Sequence, residues 1–142
     1  MAVVGPGAAS PEQEAVAEEV GRLLARRGAV VVCGGLGGVM EAACRGASRE
    51  GGTTVGVLPG LDRGAANPFV SVALATGLGE ARNALVVRAA DALIAVGGAY
   101  GTLSEIALAL KAGKPVIGLG TWQIDGVERV EGPEAAVNLA LT

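Results

Sequence analysis

The sequence predicts an α/β fold of Rossmann-like type: a doubly wound, mainly parallel sheet with helices on both faces. Three observations carry this expectation. Short aliphatic runs alternate with helical patterns of about ten to fifteen residues, as in successive βαβ units. Those runs are apolar without polar alternation, which suits strands covered on both faces. Glycine accounts for 24 of 142 residues, well above the typical ~7%, and it clusters where strands hand over to helices. The length fits one nucleotide-binding domain over residues 1–142 and leaves no room for a separate substrate domain.

Taken in order, residues 1–4 read as a first strand, stopped at Gly5-Pro6-Gly7. Ser10 then supplies an N-cap, Pro11 the first helical position and Gln13 the capping-box position. Ala15, Val16, Val20, Leu23 and Leu24 recur at helical spacing up to Gly28. Residues 29–33 form a β-branched second strand that runs into Gly34-Gly35-Leu36-Gly37-Gly38, and a helix over residues 39–50 follows. A third strand covers residues 53–58 and closes at Pro59-Gly60. Residues 61–68 lack periodicity and read as a loop before a fourth strand at residues 69–74. Beyond it come a helix (78–90), a strand (92–96), a loop (97–101), a helix (102–112), a strand (115–119) and a last helix (133–141). That makes six strands joined by right-handed crossovers.

Composition narrows the chemistry. Eleven basic against 14 acidic residues give a net charge of −3 without a Lys/Arg cluster, which argues against a nucleic-acid partner. Phe69, Tyr100 and Trp122 are the only aromatic residues, too few for an aromatic reader of single-stranded nucleic acid. The absence of His removes every imidazole-based triad and the commonest metal ligand. Chemistry is left to carboxylates, Arg, Lys, hydroxyls and backbone amides. Cys33 and Cys44 have no CxxC spacing and read as small reduced core residues; no metal site is expected. No leader pattern opens the chain and no apolar run approaches ~18 residues, so the expectation is a cytoplasmic protein with no membrane partner.

In a doubly wound sheet the loops leaving the carboxyl ends of the strands share one edge, where ligands bind at the reversal of strand order. Two of those loops here are glycine-dominated and feed helix N-termini, the arrangement that suits phosphate. The first, Gly34-Gly35-Leu36-Gly37-Gly38, is not a G-x-G-x-x-G, because Met40 takes the third glycine position, and no P-loop signature exists. The second is Gly97-Gly98-Ala99-Tyr100-Gly101-Thr102-Leu103-Ser104-Glu105. Thr102 and Glu105 have the spacing of a capping box, which by itself would explain both residues, although a first-turn side chain at this edge can also meet a ligand. Arg82 opens another predicted helix, where a cation opposes the dipole. It reads either as a partner of Glu80 in a surface ion pair or as an anion ligand with a bidentate fork.

Residues 34–42, Arg82-Asn83, Ala90-Asp91-Ala92 and the string from Gly97 to Glu105 together resemble the Lonely Guy superfamily, formerly labelled lysine-decarboxylase-like, over roughly residues 1–120. Gly38-Val39-Met40-Glu41-Ala42 and Ala81-Arg82-Asn83 are most similar to its short molybdenum-cofactor-carrier-like proteins. The resemblance implies a phosphorylated nucleotide-like or pterin-like ligand, and homo-oligomers. For the enzyme branch it implies hydrolysis of nucleoside 5′-monophosphates to base and ribose 5-phosphate, with Glu105 and Arg82 catalytic. Gly34, Gly35, Gly37, Gly97, Gly98, Gly101 and Thr102 would hold the phosphate or nucleotide, and Tyr100 would either stack on the base or merely pack. Val96 stands where the motif has Pro, and Asn83 where the hydrolase branch has Lys. A nucleotide-binding protein with that hydrolase chemistry is the first expectation; the two departures are the feature that favours the alternative, a carrier without turnover whose cargo, rather than resident cofactor, is the molybdenum cofactor or another phosphorylated small molecule. A homodimer or larger homo-oligomer is also expected because the helices at 78–90 and 102–112 are apolar over more than the ~100° stripe that one sheet face requires.

Overall fold

The computed structural model describes all 142 residues, and every strand joins one parallel sheet. Strands β1 (Ala2–Val4), β2 (Val31–Cys33), β3 (Thr54–Leu58), β4 (Val72–Ala75), β5 (Leu93–Val96), β6 (Val116–Leu119) and β7 (Val127–Arg129) lie in the order β4-β3-β2-β1-β5-β6-β7. The chain therefore winds outward from β1 in one direction through β4, and from β5 in the other. The reversal falls between β1 and β5, which pair Ala2 with Leu93, Val3 with Ile94 and Val4 with Ala95. β1, β2, β5 and β6 are buried along their whole length, as their uninterrupted aliphatic runs require.

Side chains alternate between the two faces, and helices cover each. Helices α1 (Pro11–Arg26), α2 (Val39–Arg49) and α5 (Pro133–Ala140) close a core around Val3, Leu24, Val39 and Ile94. Helices α3 (Arg82–Ala89) and α4 (Tyr100–Lys111) cover the opposite face around Val4, Val86, Leu93 and Ile106. The start of α1 is fixed as its sequence demands: Gln13 N–H donates to Ser10 Oγ at 3.1 Å, and Ser10 N–H donates to Gln13 Oε1 at 3.0 Å. α1 and α2 approach until their backbones touch, since a Cβ on Gly21 would stand 2.8 Å from the Ala43 carbonyl carbon and one on Gly46 would stand 2.9 Å from that of Glu18. Ion pairs from Glu18 to Arg45 and Arg49, and from Glu50 to Arg22 and Arg26, rim that seam. Lys114 ties the end of α3 to the sheet by donating to the carbonyls of Val87, Arg88 and Ala90 at 2.8, 3.0 and 2.6 Å.

Four expectations need correction. A seventh strand exists, because the backbone of Val127–Arg129 pairs with β6 although its side chains are half-buried to exposed and carry no apolar run. The fourth strand lies at Val72–Ala75 rather than at residues 69–74, since Asn67 and Ser71 bind the backbone before pairing begins. The helix expected from residue 78 starts as a separate 3-10 turn, Gly79–Ala81, before α3 opens at Arg82. The capping box at Thr102 and Glu105 does not form: α4 begins two residues earlier at Tyr100 with Ala99 as N-cap, and the Thr102 hydroxyl is buried without a partner. Arg82, for its part, takes no share in any ion pair, Glu80 included. Cys33 and Cys44 are buried and unbridged, with their Sγ atoms 3.5 Å apart.

Candidate active site

At the reversal point a crevice of about 180 Å³ opens between the end of β1 and the first turns of α3 and α4. Its floor is Val3, Val4 and Gly5, and its walls are Pro6, Gly7, Gly34, Met40, Arg82, Asn83, Ala99, Gly101, Thr102 and Glu105. Five residues singled out from the sequence thus converge here: Gly34, Arg82, Gly101, Thr102 and Glu105. Others do not reach it. Gly97 lines a separate cleft of about 940 Å³, between the ends of β5 and β6 and the starts of α1 and α5. Gly35, where a Cβ would stand 2.7 Å from Leu58, and Gly37, Gly98 and Tyr100 stand outside the crevice walls.

Local geometry explains why these residues meet. Gly34 leaves room for the guanidinium: a Cβ there would stand 2.8 Å from Arg82 Nη2 and 2.8 Å from Met40 Sδ. Arg82 donates through Nη1 to the Asn83 side-chain oxygen, and Asn83 in turn donates to Ser104 Oγ at 3.2 Å, so α3 and α4 share one polar chain. Thr121 Oγ1, on a residue that lines the larger cleft, is buried without a hydrogen-bond partner, as are Arg82 Nε and Thr102 Oγ1, both on residues that line the crevice. Buried donors without acceptors are rare, and the last two border the same crevice beside the free N–H groups of the α4 N-terminus.

Glu105 is 7% exposed, and burial pushes its carboxyl up to about 7, against which the positive charge of Arg82 works only in part. It is therefore divided between acid and carboxylate near neutral pH. Such a group beside a cation in a crevice can accept a proton, donate one or stabilise adjacent positive charge. Groups of three or more acidic or sulfur ligands that could hold a metal do not occur. Asn83, Met40 and Pro6 are site residues that sequence reasoning passed over as ligand contacts, although Asn83 and Met40 both stood in the strings that carry the resemblance.

The SLOG cluster4 family matches residues 1–140. The chain belongs to that family. Likeness extends along the whole of this SLOG cluster4 protein. An uncharacterized protein of Archaeoglobus fulgidus is 46% identical over 143 residues, spanning 100% of this chain and 94% of the relative. Among solved structures, the molybdenum cofactor binding protein of the phototrophic bacterium Rippkaea orientalis superposes with a TM-score of 0.92 at 39% identity, covering 97% of this chain and 92% of the other. The molybdenum cofactor carrier protein of Chlamydomonas reinhardtii follows at 0.88 and 35% identity, covering 99% and 94%. The Rossmann-like architecture is thereby shared with both. No helix of the SLOG cluster4 chain is long and apolar enough to cross a membrane.

Proposed function

We propose that this protein is a small-molecule carrier that holds a phosphorylated, pterin-like or nucleotide-like cargo, with the molybdenum cofactor as the leading candidate. The observation that carries the reading is the pair of partnerless buried donors, Arg82 Nε and Thr102 Oγ1, bordering one crevice at the start of α4. A phosphate there would accept from both and from first-turn amides of α4, where the helix dipole favours an anion. Whole-chain likeness to the molybdenum cofactor proteins supports the nature of the cargo. Asn83 takes part by fixing the Arg82 fork in place.

A second reading, phosphoribohydrolase chemistry, is favoured by one specific feature, the Glu105 carboxyl poised near 7 beside Arg82. Cleavage of a C1′–N bond builds positive charge on the ribose, which a fixed carboxylate can offset while water adds to C1′ and the departing nitrogen takes up a proton. A base-release assay with AMP and related monophosphates separates the readings. The carrier reading expects binding without release of base; release at many turnovers per protein overturns it in favour of hydrolysis. Leu85 of α3 and Leu108 of α4 remain exposed, which supports a homo-oligomer, at least a dimer, built through α3 and α4.

A further inference from the structure

Of the three aromatic residues in the chain, two meet at the edge that carries the crevice. Tyr100, the first residue of α4, and Trp122, just beyond β6, have ring centroids 6.2 Å apart and planes inclined by 25°. Trp122 is partly buried against the core under α4. Its indole N–H donates to the Ala99 carbonyl at 3.2 Å, and a Cβ on Gly98 would stand 2.8 Å from the same nitrogen. The indole is thus keyed into the loop from which α4 starts. Tyr100 is 83% exposed, an unusual position for a large ring that already has a stacking partner. Its two chain neighbours, Ala99 and Gly101, both line the crevice.

Size makes the connection. Small-molecule sites commonly measure ~300–1,000 Å³, whereas this crevice holds about 180 Å³. A crevice of that size suits a phosphate with part of its attached carbon chain or sugar, which would leave a ligand's ring system at or beyond the rim. Resting on the phosphate-site reading above, we propose that Tyr100, held in place by Trp122, is the platform on which a planar heteroaromatic ring of the ligand stacks, selecting ring-bearing phosphates over ring-free ones. Tyr100 would touch the ligand; Trp122 is a positioning residue that sets both the tyrosine ring and the loop. Rings stack on an aromatic face irrespective of their hydrogen-bonding edges, so the platform accepts either a base or a pterin.

Calorimetry with ribose 5-phosphate, AMP and 6-hydroxymethylpterin phosphate tests this. The wild-type protein is expected to bind at least one ring-bearing ligand about tenfold more tightly than ribose 5-phosphate, a factor within the range of a single stacking contact. Tyr100→Ala should abolish that preference while leaving ribose 5-phosphate affinity unchanged, and Tyr100→Phe should keep it. Because Tyr100 is exposed, its replacement does not threaten the fold, whereas Trp122→Phe examines the tether by removing the indole N–H and should reduce the preference only in part. Ribose 5-phosphate binding with no preference for either ring-bearing ligand overturns the platform and leaves the phosphate site standing. Equal loss for all three ligands in Tyr100→Ala also overturns it, as does a Tyr100→Ala protein whose mass by light scattering drops while ligand preference persists, which would make Tyr100 a subunit contact. No binding of any of the three to the wild type overturns both readings together.

Discussion

Replacing Glu105 by Gln exchanges a buried carboxyl for an amide of the same shape, and the structure fixes how stability should respond to pH. In the folded protein the carboxyl titrates at about 7, and in the unfolded chain near 4.5. Below 4.5 both states are protonated and the group has no effect. Between 4.5 and about 7 the folded state holds the extra proton, so wild-type stability falls as pH rises, and above 7 the loss is complete. At ~1.36 kcal/mol per pH unit, the gap corresponds to about 3 kcal/mol. Glu105→Gln lacks this dependence. Urea denaturation of both proteins at pH 4.5 and pH 8.5 should therefore show the variant gaining about 3 kcal/mol on the wild type at the higher pH, or about 9 °C in Tm at ~3 °C per kcal/mol for a chain of this length. Parallel stability curves for the two proteins would refute the argument that desolvation dominates at Glu105.

Other consequences are checked separately. Arg82→Met removes the charge that partly restrains Glu105, so the Glu105 carboxyl, followed by carbon-detected NMR titration, should move above its wild-type value near 7; no movement would mean that the two charges do not interact. Gly46→Val forces a branched side chain into the backbone seam of α1 and α2 and should cost about 3 kcal/mol or more in urea denaturation; wild-type stability would show that the helices can separate cheaply. Light scattering at micromolar concentration should return at least twice the 13.9 kDa of one chain, and a mass near a single chain would dismiss the α3 and α4 contact.

Much of the fold was legible because its signals are local. The Ser10 and Gln13 box, the apolar runs of β1, β2, β5 and β6, and the glycines that end the strands each act over a few residues. β7 was not legible, since its pairing depends on β6 and its half-exposed Val-Glu-Arg carries no periodicity. The start of α4 was misplaced because Tyr100 and Gly101 are modest helix formers and Thr102 with Glu105 mimic a cap. At the site, Arg82 and Glu105 could be named from their positions, but their isolation from other charges could not. Gly98 shows the same limit. Its sequence reading was close approach to an anion, yet the structure places the Trp122 indole against it, 24 residues further along the chain. For that reason Gly101, whose added Cβ would meet only Asn83 Nδ2 at 3.9 Å inside the crevice, is the better steric probe of the site.

An amide NMR titration of the wild-type protein with ribose 5-phosphate locates the phosphate site residue by residue. The phosphate is proposed to sit at the start of α4 beside Arg82, so the amide signals of Gly101 and Thr102 should shift most, together with Gly34 and the Arg82 Nε–H, and Gly101→Val should suppress all of these shifts. Shifts confined to Gly97, Gly120 and Gly132, around the larger cleft, would move the ligand away from Arg82 and contradict a phosphate site at the start of α4.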